Sequence, residues 1–108
     1  MAGTALPTPQ IADVDAKVKR APLYHVILHD DPNHTYEYVI EMLMKLFAKS
    51  FEEAFEHAEE VDRTGVTIVD TTTLERAELK CDQIKAYGPD WRSKGCPGSM
   101  YSTIEPAE

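Results

Sequence analysis

Four residues that can handle protons, metals or amines fall within six positions, His29, Asp30, Asp31 and His34 in the stretch HDDPNH. Three kinds of chemistry suit such a set. Paired carboxylates can exchange protons as general acid and base. Imidazoles and carboxylates ligate zinc or another transition metal, and His57, Asp62 and Cys96 are ligands of the same type elsewhere in the chain. Carboxylates also satisfy a protonated amine through charge-assisted hydrogen bonds. The catalytic reading lacks partners. The sequence holds no nucleophile elbow, phosphate loop or HExxH helix, and adjacent Asp residues in a tight loop commonly form turns and caps. A non-enzymatic protein is expected. The metal reading has no paired Cys/His spacing behind it, so neither metal nor cofactor is expected. The amine reading needs Asp30, Asp31 and Asp62 at the rim of a pocket whose apolar wall includes Tyr36, Ala58, Val61 and Met100. Spacing alone does not bring these residues together.

The HDDPNH loop joins two strongly patterned elements. Before it, residues 23–29 (LYHVILH) alternate as a strand, with Tyr24, Val26 and Leu28 on one face. After it, Thr35 is a fitting N-cap, and Glu37 complements the first turn of a helix. Tyr36, Val39, Ile40, Leu43 and Phe47 form its apolar stripe. Ser50 and Glu53 make a capping box for a second helix reaching about Arg63, with Phe51, Ala54, Phe55, Ala58 and Val61 as the stripe and Gly65 as a left-handed cap. Val66–Thr71 is β-branched and reads as a strand. Thr72 and Glu75 suggest a further capping box, opening a helix to about Tyr87 with Leu74, Ala77, Cys81 and Ile84 inward. Residues 88–99 are a Gly/Pro-rich loop, and Met100–Ile104 a last strand. The pattern predicts an α+β domain of order β-α-α-β-α-β, a small antiparallel three-stranded sheet packed with three helices. Residues 1–21, with scattered charge and no period, are expected to be a flexible arm, and residues 22–108 the folded core.

The chain has 108 residues, enough for one domain with a modest core, at 43% hydrophobic and 28% charged residues. A net charge of −8 argues against nucleic acid and anionic membranes as partners and suits cationic groups or a basic protein face. The first twenty residues carry no signal-peptide pattern, and no apolar run is long enough to span a membrane. A cytoplasmic protein with reduced Cys81 and Cys96 is expected.

The stretch YHVILHDDPNHTYEYVIEMLMKLF resembles the opening of the ClpS family, adaptors of bacterial AAA+ Clp proteases. The family's form is Y-x-V-I-L, a polar residue, N-D-D, then a helix ending K-x-F. EEAFEHAEEVDRTG is similar to the family's A-x-x-L-M-L-x-V-H-x-x-G helix end. Thr73-x-Glu75-x-Ala77-Glu78-x-Lys80 fits T-x-E-x-A-E-x-K, and MYSTIEPA resembles L-x-x-T-x-E. The likeness covers residues 22–106, with loop 88–99 the least typical part.

The resemblance implies an adaptor that binds the free N-terminal residue of N-degron substrates and delivers them to a Clp unfoldase, acting as a monomer. It implies that Glu75 and Lys80 dock on the unfoldase N-terminal domain. It also implies a pocket, here with substitutions. Asp30 stands for the family Asn, Asp31 matches the first Asp, and Pro32 replaces the second. His34 takes the helix-start Thr position, and Asp62 replaces the His that contacts the α-amino group. Tyr36 and Ala58 replace two pocket methionines, Val61 is as expected, and Met100 matches a pocket leucine. Close carboxylates in an empty site should raise at least one pKa. The same substitutions fit a second reading, a docking or regulatory module with altered or lost amine recognition and a metal near His34, Asp62 and Asp30.

Overall fold

A computed structural model describes residues 22–107; the expected arm over residues 1–21 lies outside the described residues. Six elements follow in order: β1 (Tyr24–His29), α1 (Tyr36–Phe47), α2 (Phe51–Thr64), β2 (Val66–Thr72), α3 (Leu74–Ala86) and β3 (Ser102–Pro106). This is the α+β order that the sequence predicts. The three strands pair antiparallel with β1 in the centre, in the order β2-β1-β3. No helix of the described residues is long and apolar enough to cross a membrane. Both cysteines are free thiols.

The central strand explains the core. Val26 and Leu28 project from one face of β1 and are fully buried, together with Val69 from β2. From the helices, Tyr38, Val39, Met42 and Leu43 of α1, Ala54 and Ala58 of α2, and Ala77 and Ile84 of α3 close over them. Fully burying a side chain of Leu or Met size contributes about 1.5–3 kcal/mol. Thr67 is polar yet buried. Its hydroxyl donates to the Glu60 carboxylate and accepts from His57 Nδ1 at 2.8 Å, so α2 satisfies it from above. Opposite β1, the β2 register slips by one residue: Val26 faces Asp70, and Ile27 faces Ile68.

Most helix signals act as expected. Thr35 caps α1, accepting from Tyr38 N, and Ser50 and Glu53 form the reciprocal box at the start of α2. Gly65 ends α2 at φ 92°, where a side chain would be strained. Four expectations need correction. The cap of α3 is Thr73, which accepts from Arg76 N, because Thr72 is still paired with Tyr24 at the end of β2. The inward stripe of α1 runs through Tyr38, Val39, Met42 and Leu43, and Tyr36 is 38% exposed at the first turn. On α2, Phe51 is 54% exposed, and it stacks on Phe55 at 6.2 Å instead of entering the core. The last strand also begins two residues later than predicted, at Ser102.

Loop 88–99 is integral to the fold. Asp90 is only 1% exposed. Its Oδ2 accepts from Thr35 N at 2.9 Å and from the Thr35 hydroxyl at 2.8 Å, and its Oδ1 accepts from Arg92 N at 3.0 Å and Arg92 Nη1 at 3.2 Å. The other guanidinium nitrogen of Arg92 reaches Glu41 on α1 at 2.8 Å. The Tyr38 hydroxyl donates to Gly88 O at 2.6 Å. The loop is thus fastened to the start of α1 at several points.

Burial pushes the Asp90 carboxyl up, but hydrogen bonds from Thr35 and Arg92 outweigh it, and the net shift is downward. A carboxyl lowered in the folded state supports folding above the ordinary carboxylate range, and that support is lost as pH falls through the folded-state value. Asp90→Ala should cost about 3 kcal/mol at neutral pH, since it strands buried donors. Urea unfolding checks this: the gap between the native chain and the variant should be widest near neutrality and narrow on acidification.

Candidate functional site

A cavity of about 210 Å³ opens between the β1–α1 loop, the first turns of α1 and the second half of α2. Asp30, Asp31, His34, Tyr36, Ala58, Val61 and Asp62 all border it, with Pro32, Thr35 and Val39. The structure therefore brings together seven of the eight residues expected at the amine pocket. Met100 is the exception. It is 3% exposed, packs in the core, and borders a separate cavity with Cys81, Lys85 and Tyr101.

Local backbone geometry builds the acidic wall. Asp30 N donates to Gly65 O at 2.9 Å, which ties the loop to the end of α2 and sets Asp30 beside Asp62. Asp31 Oδ1 accepts from Asn33 N at 2.8 Å, a turn held by the Asp side chain. The same carboxylate receives His34 Nδ1 at 2.6 Å. The other ring nitrogen, Nε2, meets Gly98 O at 2.7 Å. The His34 side chain is 2% exposed, so it acts as a strut between the acidic loop and loop 88–99. Asp62, in the last turn of α2, accepts from the Tyr36 hydroxyl at 3.0 Å, linking the two helices across the mouth. Tyr36 in turn meets Phe55 edge-on at 6.0 Å. The apolar wall is Val39, Ala58 and Val61, small side chains that leave the space open.

The charges respond to this crowding. Asp30 is raised above its ordinary value, first by burial and then by the charges of Asp62 and Asp31, against a lowering backbone hydrogen bond. That is the effect expected of close carboxylates. The Tyr36 hydroxyl is likewise pushed up, by burial and by its bond to Asp62. Asp31 and Asp62 each have a side-chain donor at hand, whereas Asp30 has only a backbone one. A positive group in the cavity would satisfy all three.

Among the described residues, no group of three or more His, Cys, Asp and Glu is disposed to hold a metal ion. His34 is spent on Asp31 and Gly98, so it is not turned toward Asp62. Sequence reasoning missed Asp90 and Gly98, which hold this wall from the far loop, and weighed Cys96, which lies 3.3 Å from His34 Nε2, only as a metal ligand. The one available signal was Asp90 itself, a carboxylate among Gly and Pro, and it names no partner.

Because ionised Asp30 is disfavoured in the folded chain, the folded state loses stability at this position as pH rises through the carboxylate range. Asp30→Asn is expected to raise Tm at neutral pH, with the gain disappearing near about pH 3, where the carboxyl is protonated folded or unfolded. Thermal melts at the two pH values check this; a lower Tm at neutral pH would mean that Asp30 is held by a favourable contact instead.

Comparison with known proteins matches the chain to one family. The family model described as ATP-dependent Clp protease adaptor protein ClpS matches residues 19–91. A ClpS adapter protein of a Synechococcus strain is 34% identical over 85 residues, 78% of this chain and 93% of the relative. Another Synechococcus ClpS is 37% identical over 91 residues, 83% of this chain and 77% of the relative. Among solved structures, Agrobacterium tumefaciens ClpS2 bound to L-phenylalaninamide superposes with a TM-score of 0.69 at 26% identity, covering 81% of this chain and 99% of that one. The chain belongs to the ClpS family of ATP-dependent Clp protease adaptor proteins.

Proposed function

We propose that this chain binds the free N-terminal residue of protein substrates in the cavity between α1 and α2 and carries them to a Clp AAA+ unfoldase. The observation that carries this reading is the convergence of Asp30, Asp31 and Asp62 on one rim of a cavity walled by Val39, Ala58 and Val61. An N-terminal residue has the complementary form, an ammonium beside a side chain. The ammonium would donate charge-assisted hydrogen bonds to the rim carboxylates, and an apolar side chain would fill the hollow. The ligand of the A. tumefaciens relative, L-phenylalaninamide, has this chemistry: a free α-amino group and an apolar side chain. An ammonium between the carboxylates also relieves their mutual repulsion, which favours binding while Asp30 is ionised.

Delivery needs a second face. Glu75 is exposed in the first turn of α3. Lys80, in the middle of α3, donates to Leu46 O and lies over the Phe47 ring at 5.1 Å. Beside them a cavity of about 280 Å³ is bordered by Lys49, Asp70, Arg76 and Lys80. None of these residues borders the amine cavity, so a substrate and an unfoldase domain can be held together.

Two measurements test the two halves. Fluorescence anisotropy with peptides differing only in an acetyl cap should show the free N-terminus binding at least about tenfold more tightly, a difference of about 1.4 kcal/mol. Asp31→Ala should remove most of that preference. If capped and free peptides bind alike, amine recognition is lost and the chain is a docking module alone. For delivery, Glu75→Arg should abolish capture of a Clp unfoldase N-terminal domain while leaving peptide affinity within about twofold, since the two faces are separate. Retained capture would place docking elsewhere.

A further inference from the structure

A row of aromatic rings leads out of the amine cavity along α2. Tyr36, which borders the cavity, meets Phe55 edge-on at 6.0 Å, and Phe55 stacks on Phe51 at 6.2 Å. All three residues are exposed, Phe51 most of all. Contiguous exposed aromatic surface marks a contact for another molecule. The row also has a direction. Phe51, Phe55 and Asp62 stand at i, i+4 and i+11, one stripe of α2. Asp62 belongs to the acidic rim at the carboxyl end of that helix, where Asp30 N is bonded to Gly65 O. Phe55 lies about two turns and Phe51 about three turns nearer the amino end, roughly 10 and 16 Å from Asp62 along the axis. An extended peptide advances about 3.3 Å per residue and turns alternate side chains to one face. With its ammonium about 3 Å from a rim carboxylate and its first side chain in the hollow, its third side chain comes level with Phe55 and its fifth with Phe51. Glu52, Glu56 and Glu59 are exposed on the same helix, and the charge of Glu59 acts on the Tyr36 hydroxyl. A second copy of the chain laid on this face would bring two acidic helices together, whereas an apolar substrate segment would not.

We infer that Tyr36, Phe55 and Phe51 form a second specificity subsite, which takes an aromatic or large apolar side chain at the third residue of a substrate whose N-terminal residue fills the cavity. The inference rests on the amine-binding reading and adds a substrate class to it: N-terminal segments with apolar side chains at the first and third residues. An incoming ring can pair edge-on or offset with Phe55, the geometry that aromatic pairs favour. Tyr36 is held by its hydrogen bond to Asp62, so the first ring of the row is placed before a ligand arrives. Phe51, 54% exposed at the far end, is the looser contact and meets the fifth residue. An acidic side chain at the third residue would face Glu59 and Asp62 and is disfavoured there.

The test uses the full chain and fluorescence anisotropy with free-amine peptides that begin Phe-Ser-Ser, Phe-Ser-Trp, Phe-Trp-Ser and Phe-Ser-Asp, each with an acetylated control. Phe is the first residue because the ligand of the A. tumefaciens relative is a phenylalanine amide. On the native chain, Phe-Ser-Trp should bind about tenfold more tightly than Phe-Ser-Ser. Phe-Trp-Ser should bind within about twofold of Phe-Ser-Ser, since its second side chain turns away from the row, and Phe-Ser-Asp should be the weakest. On a Phe55→Ser chain, Phe-Ser-Trp and Phe-Ser-Ser should bind alike. That comparison is made within the variant, so any change at Tyr36 cancels. Phe55→Tyr should keep the gain. Equal affinity for Ser and Trp at the third residue, an equal gain from Trp at the second, or a gain that survives Phe55→Ser overturns the inference; Phe-Ser-Ser binding better than its acetylated form would then leave the amine reading standing. Loss of that free-over-acetylated preference overturns the amine reading and this inference with it.

Discussion

The buried carboxylate of Asp90 is the constraint on which the rest of the pocket depends. It gathers donors from two places that are far apart in the chain, the start of α1 and its own loop. A helix begins with N–H groups that have no intrahelical partner. Here Thr35 serves as both the cap of the helix and the handle by which the loop grips it. A negative charge at this end also suits the helix dipole. With α1 fixed at its first turn, Tyr36 and Val39 face the cavity and Tyr38 faces the core. Without that grip, the HDDPNHT segment would be an ordinary surface loop.

The three carboxylates of the rim are alike in type and different in circumstance. Asp31 is held by its own turn and by His34. Asp62 is held by a tyrosine hydroxyl across the mouth. Asp30 has burial and two like charges against it. An amide and an imidazole at the family's positions would distribute hydrogen bonds with little charge. Carboxylates at both positions make the rim acidic, and two of them are restrained by neighbours within the chain. The pocket is therefore shaped before any ligand arrives, and only part of its charge is left open to one.

The fold was readable in the sequence because its signals are local. Ser50 with Glu53, Thr35, Gly65 and the β-branched run from Val66 each act within a few residues, and each marks the element it names. Errors came where two local signals competed or where packing chose between faces. Thr72 and Thr73 are both able to cap, and sheet pairing with Tyr24 decided for Thr73. Tyr36 and Tyr38 are both apolar enough for a stripe, and the core took Tyr38. Most of the site was readable too, but through family register, not through spacing: Asp30 and Asp62 meet because Asp30 N reaches Gly65 O, a contact no periodicity reveals. The grip of loop 88–99 was not readable at all. Its bonds span 55 and 64 residues, and a Gly/Pro-rich composition says only that the segment turns.

Those long spans have a consequence in time. A chain that folds as it emerges from its amino end can form β1, α1 and α2, and can pair β1 with β2, from contacts close in sequence. The carbonyl of Gly98 and the carboxylate of Asp90 arrive later, after α3. Closing loops of that length costs entropy before any bond is returned, so such contacts belong to the last stage of folding. Until then the acidic loop has its turn but not its strut, and the first turn of α1 has its cap but not its anchor. The acidic wall of the cavity therefore becomes rigid late, in the same stage as the pairing of β1 with β3, although most of its residues lie in the first half of the chain.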